Sequence, residues 1–307
     1  MRQKVLVTTS SFGQYSVAVL EKLEKHDLQL VTNPYKRTLT EIELLQLLEK
    51  EKPVGLLAGT EPITAKVLET ASGYVRVISR VGTGWDNIDH EVAVAEGVRV
   101  YRTTDAATEA VAELTLGLIL NLLRKLNQMD QELKSGLWDK KLGSILQHKK
   151  LGIIGFGRIG KRLAQLMIPF DVQIGYYDVV AIHDESSNKA MDLDSLLAWS
   201  DIVTLHVSVS PKTNVILTKE RIKLMKKGSC LINVSRGGLV DEAALYDALH
   251  AQYLSGAALD VFESEPYDGP LRFLNNVILT PHIGSYTRES RERMEMEALD
   301  NLIEGLR

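Results

Sequence analysis

Residues 151–160 read Leu151-Gly152-Ile153-Ile154-Gly155-Phe156-Gly157-Arg158-Ile159-Gly160, and this stretch decides the fold. An apolar, β-branched run opens onto G-x-G-x-x-G, and the helical stretch Lys161–Ile168 follows. In that context each glycine has a task. Gly155 permits the tight turn, Gly157 lets a pyrophosphate approach the backbone, and Gly160 lets the helix pack on its strand, while the helix N-terminus attracts the anion. A second strand, Val172–Tyr177, ends in Asp178, 18 residues past Gly160. A carboxylate there accepts hydrogen bonds from the adenosine ribose and repels a 2′-phosphate, so NAD is expected rather than NADP; a turn aspartate is the plainer alternative. Gly155, Gly160 and Lys161 also match a phosphate-binding G-x-x-x-x-G-K loop, but Arg162 stands where that loop needs Ser or Thr to hold magnesium.

Working outward, the same alternation covers the whole chain. Apolar runs at Val5–Thr8, Val54–Leu57, Val75–Ser79, Leu151–Ile154, Val172–Tyr177, Ile202–His206, Cys230–Val234, Gly256–Asp260 and Val277–Thr280 are separated by segments of helical period. They are apolar on successive residues, as strands buried on both faces of a parallel sheet require, so the fold class is α/β and doubly wound. Thr108–Gln128 is apolar almost all round, with Val111, Leu114, Leu118, Leu122 and Leu126 at helical spacing. Such a helix must be enclosed, between domains or against another subunit, and a domain boundary is expected just before it, near Val100. The charged segment Arg288–Leu306 is expected to fold back on the first domain.

The 307 residues, 45% hydrophobic and 25% charged, suffice for two domains or one large α/β unit. A formal charge of −4 and a pI near 6.0 give no electrostatic case for a nucleic-acid partner. Lys140-Lys141 and Lys149-Lys150 are short and diluted by acids. The one cysteine, Cys230, lies in an apolar run and cannot form an internal disulfide, which fits the cytoplasm. Val5-Leu6-Val7 is too short for a signal segment, and the best membrane candidate, Leu114–Leu123, is interrupted by Asn121. No membrane and no metal are expected.

Three polar clusters sit at strand C-ends, where a doubly wound sheet presents ligands. Asn233-Val234-Ser235-Arg236-Gly237-Gly238 supplies an arginine, Asp260-Val261-Phe262-Glu263-Ser264-Glu265-Pro266 supplies acids, and Pro281-His282-Ile283-Gly284 supplies a histidine. Reduction of a 2-keto acid needs these types. A guanidinium grips carboxylate and carbonyl together better than an ammonium, which suits Arg236. An imidazole exchanges a proton near neutrality, which suits His282, and a carboxylate such as Glu265 orients it and favours its protonated form. On pattern alone a surface ion pair for Arg236, a solvated acid for Glu265 and a turn cap for His282 remain open.

With these residues in hand the chain resembles the D-isomer-specific 2-hydroxyacid dehydrogenases, especially the phosphoglycerate dehydrogenase branch, over nearly its full length. The matching stretches are Arg80–Asp89, Ala112–Gly117, the glycine motif, Asn233–Glu242, Ala258–Phe262 with Glu265-Pro266, and Pro281–Gly284. The resemblance implies a Rossmann NAD-binding domain, residues 100–285, inserted into a flavodoxin-like substrate domain, residues 1–99 plus 286–307, a cleft that closes on substrate, and a homodimer built around Thr108–Gln128. It implies Arg236, Glu265 and His282 as catalytic residues, and amides around Gly82, Thr83 and Gly84, with Arg236 and His282, as the substrate's ligands. For the cofactor it implies Arg158 and Ile159 along the pyrophosphate, Asp260 on the nicotinamide carboxamide, and further contacts from His206, Val234, Ser235, His282 and Gly284.

The departures bear on substrate. A phosphoglycerate dehydrogenase is expected to carry a basic residue soon after Val54–Leu57, yet the loop reads Ala58-Gly59-Thr60-Glu61-Pro62-Ile63-Thr64. The family's usual Asn-Thr-Pro is replaced by Arg102-Thr103-Thr104, and Val207 follows His206 where Thr is common. Arg102 is either a phosphate contact from a new direction or a surface side chain. The chain ends at Arg307, without the length of the regulatory domains that some phosphoglycerate dehydrogenases carry. The expected reaction interconverts a D-2-hydroxy acid and its 2-keto acid, with 3-phosphoglycerate, hydroxypyruvate or glyoxylate as candidate substrates. Glu265 argues against formate, whose enzymes carry glutamine there, and an NAD-sensing corepressor of the same fold is the alternative from another class.

Overall fold

A computed structural model describes residues 2–14, 16–182, 188–208 and 215–307. The chain divides into two compact units, Met1–Ala107 with Ser285–Arg307, and Thr108–Gly284.

The first unit runs β1 (Gln3–Val7), α1 (Val17–Lys25), β2 (Leu28–Thr32), α2 (Glu41–Glu51), β3 (Gly55–Ala58), α3 (Ala65–Ala71), β4 (Val77–Arg80), α4 (His90–Ala95) and β5 (Arg99–Arg102). Its described strands form one parallel sheet in the order β2-β1-β3-β4-β5, whose topological switch lies between β1 and β3. Every residue of β3 and β4 is buried, which is why these segments are apolar without alternation. Helix starts are set by side chains: Thr40 and Glu43 form a reciprocal capping box on α2, and Asp89 caps α4. The C-terminal helix Arg288–Leu306 returns to this unit, burying Met294, Ala298, Leu299 and Leu302 against Val5, Val7 and Val77.

The second unit begins with α5 (Thr108–Arg124) and α6 (Leu126–Lys134). It continues with β6 (Lys150–Ile154), α7 (Arg158–Met167), β7 (Gln173–Tyr177), β8 (Lys189–Ala190), α8 (Leu193–Trp199), β9 (Ile202–Leu205), α9 (Lys219–Leu224), β10 (Cys230–Asn233), α10 (Glu242–His250), β11 (Gly256–Leu259) and β12 (Val277–Leu279). The described strands pair in parallel in the order β12-β11-β10-β9-β6-β7-β8, and the order reverses between β6 and β9. With α11 for Arg288–Leu306, each unit is an α/β sheet flanked by helices.

Three strands absent from the sequence reading, β2, β5 and β8, are all edge strands. The boundary expected at residue 100 would cut β5, which pairs with β4 in register from Val77 with Arg99 to Arg80 with Arg102. The division falls instead after Ala107 and after Gly284. The helix expected over Thr108–Gln128 breaks at Lys125, whose φ of 53° lies in the left-handed region. Arg162, the residue that departs from a phosphate loop, forks the Glu109 carboxylate from α7 with two bonds of 2.7 Å.

Candidate active site

In the second unit the chemistry-bearing residues follow the C-ends of neighbouring strands. β6 turns into α7 through Gly155, whose φ is 91°; an added Cβ there would lie 2.4 Å from the His206 carbonyl oxygen. At Gly160 the obstacle is the Gly155 oxygen, 2.3 Å away. A Cβ on Gly157 would meet nothing within 4 Å, so this glycine keeps clear an approach to the backbone rather than a packing contact. No side chain caps α7, leaving its first-turn amides to an anion. Asp178 follows β7 and accepts from Phe156 N at 2.7 Å and Val180 N at 3.0 Å, tying its carboxylate to the glycine turn. This strand, turn, helix and acid fit a dinucleotide.

His206 follows β9. Its ring nitrogens are buried although the residue keeps some exposure: Nε2 lies 3.0 Å from Thr204 Oγ1 and Nδ1 has no partner. Burial lowers its pKa to about 3, so the ring is neutral. The Ser235 hydroxyl is engaged on both sides, donating to Leu205 O at 2.6 Å and accepting from Val207 N at 3.0 Å. It joins the ends of β9 and β10. Beside it Val234 is buried.

The polar centre comes from β10, β11 and β12. Asn233 folds back on the turn, accepting from Ser235 N at 3.1 Å and donating to Arg236 O at 2.8 Å. Arg236 Nη1 donates to Ser235 O at 2.8 Å. Gly237 sits against the next loop so closely that a Cβ would lie 1.8 Å from the Phe262 carbonyl carbon. That approach sets Arg236 beside the Glu265 loop. Glu265 Oε1 accepts from Phe262 N at 3.1 Å, and Oε2 lies 2.8 Å from His282 Nδ1. Burial alone would raise the Glu265 pKa, but the His282 hydrogen bond and charge, the Phe262 amide and the Arg236 charge outweigh it, so the carboxyl is held below its usual range. Nδ1 is thereby occupied, and Nε2 is the nitrogen left for exchange.

Gly82, Thr83 and Gly84 belong to the first unit, after β4. The Gly82 amide donates to Arg80 O at 3.0 Å, whereas the Thr83 and Gly84 amides have no partner among the described residues. Gly82 has φ 151°, and the buried Arg80 guanidinium, which donates to Val81 O, occupies the space a Cβ would need. Arg102 flanks the loop, with Nη1 3.4 Å from Thr83 O and its guanidinium 4.1 Å above the Trp85 ring.

Against known proteins, residues 116–284 match the family model described as D-isomer specific 2-hydroxyacid dehydrogenase, NAD binding domain. The chain belongs to the D-isomer-specific 2-hydroxyacid dehydrogenases. Its second unit carries the family's NAD-binding domain. The chain is 35% identical over 304 residues to a hydroxypyruvate reductase of Thermotoga maritima, covering 96% of this chain and 99% of the relative. It is 39% identical over 296 residues to a D-3-phosphoglycerate dehydrogenase of Methanocaldococcus jannaschii, covering 94% of this chain and only 55% of that longer protein. Among solved structures, a D-lactate dehydrogenase of Aquifex aeolicus complexed with NAD and lactic acid aligns with TM-score 0.83 at 30% identity, covering 96% of this chain and 93% of that one.

Some residues that shape this dehydrogenase's site escaped the sequence reading. Asn233, the Phe262 amide and Thr280 carry no chemistry of their own, and only the strand-end spacing that put them two or three residues from Arg236, Glu265 and His282 pointed to them. Cys230 is buried, its Sγ 3.1 Å from Ser255 Oγ, and burial raises its pKa; it is a core thiol. Among the described residues no group of His, Cys, Asp and Glu could hold a metal, and no helix is long and apolar enough to cross a membrane.

Proposed function

We propose that the chain reduces a small unphosphorylated 2-keto acid, of the glyoxylate or hydroxypyruvate kind, to the D-2-hydroxy acid with NADH, and runs the reverse reaction with NAD. The observation that carries the chemistry is the pairing of His282 Nδ1 with Glu265 at 2.8 Å, on strand ends next to Arg236 in the NAD-binding unit. NADH when bound supplies the hydride that reaches C2. His282 delivers its Nε2 proton to the C2 oxygen as that oxygen gains charge, and Glu265 stabilises the protonated ring and fixes its orientation. Arg236 holds the carbonyl and carboxylate oxygens. The amides of Thr83 and Gly84 receive the substrate carboxylate, while Gly82 contributes its backbone conformation.

Support for an unphosphorylated substrate comes from Glu61 after β3. Its carboxyl is 1% exposed and accepts from Thr8 Oγ1 at 2.5 Å and Gly59 N at 3.0 Å, where the phosphoglycerate branch is expected to offer a cation. A phosphorylated substrate is the second reading, favoured by the Arg102 guanidinium beside Thr83.

A homodimer is supported by the arm after α5. Leu126, Leu133, Leu137, Trp138, Leu142 and Ile145 are each 50% to 92% exposed. Next to the arm the same unit has a groove bordered by Leu122, Phe273 and Leu274, so an isologous pair would use both surfaces twice. The single buried thiol supports a cytoplasmic location.

The test follows NADH absorbance with glyoxylate, hydroxypyruvate, 3-phosphohydroxypyruvate and longer 2-keto acids. Glyoxylate or hydroxypyruvate is expected to be turned over best, and His282→Ala and Arg236→Ala to lose about 100- to 10,000-fold in kcat/KM. A wild-type protein that binds NADH and oxidises it with none of these acids would return the chain to the NAD-sensing alternative.

A further inference from the structure

β4 and β5 are parallel neighbours that end side by side, with Arg80 opposite Arg102. The loop Gly82-Thr83-Gly84 follows β4, and its Thr83 and Gly84 amides have no partner among the described residues. Its carbonyls, by contrast, are held by the end of β5. Gly82 O accepts from Thr103 N at 3.3 Å, and Thr83 O accepts from Arg102 Nη1 at 3.4 Å. A trans peptide is a plane in which the C=O of one residue and the N–H of the next point opposite ways. Fixing Gly82 O therefore aims the Thr83 amide, and fixing Thr83 O aims the Gly84 amide. Trp85 O closes the loop, accepting from Ile88 N at 3.1 Å, with His90 Nε2 at 3.2 Å. Arg102 is itself anchored. Its guanidinium lies 4.1 Å above the Trp85 ring, which meets the His90 ring edge-on with centroids 4.4 Å apart. From α11, Asn301 Nδ2 donates to Arg102 O at 3.2 Å and Glu297 Oε1 accepts from Thr104 N at 3.0 Å.

We propose that Arg102 is a positioning residue for the substrate carboxylate: stacked on Trp85 and bonded to Thr83 O, its guanidinium fixes the Thr83–Gly84 peptide so that the Gly84 amide is aimed at the anion. The assignment rests on the carboxylate role given to the Thr83 and Gly84 amides above and deepens it. It also gives a task to a residue that departs from the family's usual Asn-Thr-Pro. A planar guanidinium seated on an aromatic face loses little freedom when it bonds one carbonyl, which an ammonium on a flexible stem does not match. An amide aimed in advance need not reorganise when the anion arrives. Because Arg102 acts through the loop, its effect is the same whatever the substrate carries beyond C2.

Glyoxylate has no carbon beyond its 2-keto acid core, so it separates aiming of the loop from direct contact with a substrate's tail. In Arg102→Ala the KM should rise about 3- to 10-fold for glyoxylate, hydroxypyruvate and 3-phosphohydroxypyruvate alike, with kcat within about 3-fold of wild type and the NADH dissociation constant unchanged. Arg102→Lys, which keeps the charge without the planar fork, should fall between the two. The peptide can also be watched directly, because Thr83-Gly84 is the one Thr-Gly pair in the sequence. Protein labelled with 13C-carbonyl threonine and 15N-glycine gives a single two-isotope signal, from that bond. Saturating oxamate with NADH should displace this signal in the wild type and displace it less than half as far in Arg102→Ala. An unchanged KM for glyoxylate would overturn the proposal, in favour of a phosphate contact if 3-phosphohydroxypyruvate alone suffers. Equal displacement of the signal in both proteins would overturn it as well. A wild-type signal left in place by oxamate that nevertheless inhibits would remove the carboxylate role of the amides, and this proposal with it. If Arg102→Ala does not fold, the same comparisons in Arg102→Lys decide.

Discussion

At Gly237 the absence of one carbon atom brings two strand ends together. A Cβ there would overlap the Phe262 carbonyl, whereas at Gly238 it would meet nothing within 4 Å. Gly237→Ala should therefore cost about 1–3 kcal/mol through overpacking and lower kcat by separating Arg236 from the Glu265 loop, while Gly238→Ala stays near wild type in both. Denaturant midpoints and kcat for the two variants make the comparison; equal behaviour would sink the close-approach argument. His206 gives a second residue-scale prediction. Its folded pKa of about 3 lies below the usual histidine value, so as pH falls the unfolded chain takes up a proton that the folded chain refuses. The stability it contributes is intact above about pH 6.5 and is lost from there down toward pH 3. In His206→Gln the fall in urea midpoint between pH 7 and 4 should be shallower; an identical slope would show that the ring protonates in the folded state. At this scale the pairing of Glu265 with His282 was legible, because a glutamate and a histidine at strand ends beside an arginine have few other uses in that combination. It did not show that the Asp260 carboxylate also accepts hydrogen bonds from the strand and turn beside it. That depends on Thr280 and on two backbone amides, which leave no mark in a residue pattern.

At the scale of elements, burial separates what was legible from what was not. Interior strands such as β3, β9 and β10 are buried at every residue and so must be apolar throughout. Edge strands β2 and β5 retain exposed or half-exposed positions and keep Gln29, Arg99 and Arg102, which breaks the run that marks a strand. β8 spans only Lys189 and Ala190, too short to leave a pattern. The β6-turn-α7 unit was legible in full because each glycine answers a distinct steric demand. Its partner acid has one job expected and one observed: Asp178 is expected to repel a 2′-phosphate, and it fixes the Phe156 amide. The next residues, Val179 and Val180, are 86% and 66% exposed and offer no cation. Joint replacement Asp178→Ser with Val179→Arg should raise the NADPH to NADH ratio of kcat/KM by about 10- to 100-fold, the worth of a charged hydrogen bond gained and a repulsion removed. Because the serine no longer accepts from Phe156 N as a carboxylate does, absolute kcat/KM should fall with both cofactors. A ratio that stays put would mean Asp178 serves the turn alone.

For the whole molecule, family resemblance made the division into two units legible, but its position depended on β5, an edge strand hidden between charged residues, so the boundary moved to the start of α5. The all-round apolar helix was expected to be enclosed between domains or against a second copy. α5 buries Val111, Thr115, Leu118 and Ile119, and the exposed apolar surface beside it lies on α6 and the segment leading to β6. Trp138 at 80% and Leu142 at 92% exposure are the most exposed of the large apolar side chains there, and a monomer would hold them in water at a cost of about 1.5–3 kcal/mol each. That penalty, met twice in a symmetric pair, is what would drive the proposed dimerisation. Trp138→Asp with Leu142→Asp should convert a dimer to monomer by sedimentation at micromolar protein, and should remove any dependence of the melting temperature on concentration. The polar centre at β10–β12 is built entirely within one unit, so a monomeric double variant should keep measurable turnover. Sedimentation of the wild type as a monomer would end the dimer reading and leave the arm's surface without a partner of this kind. Loss of all turnover in a folded monomer would instead mean that the second copy completes the site.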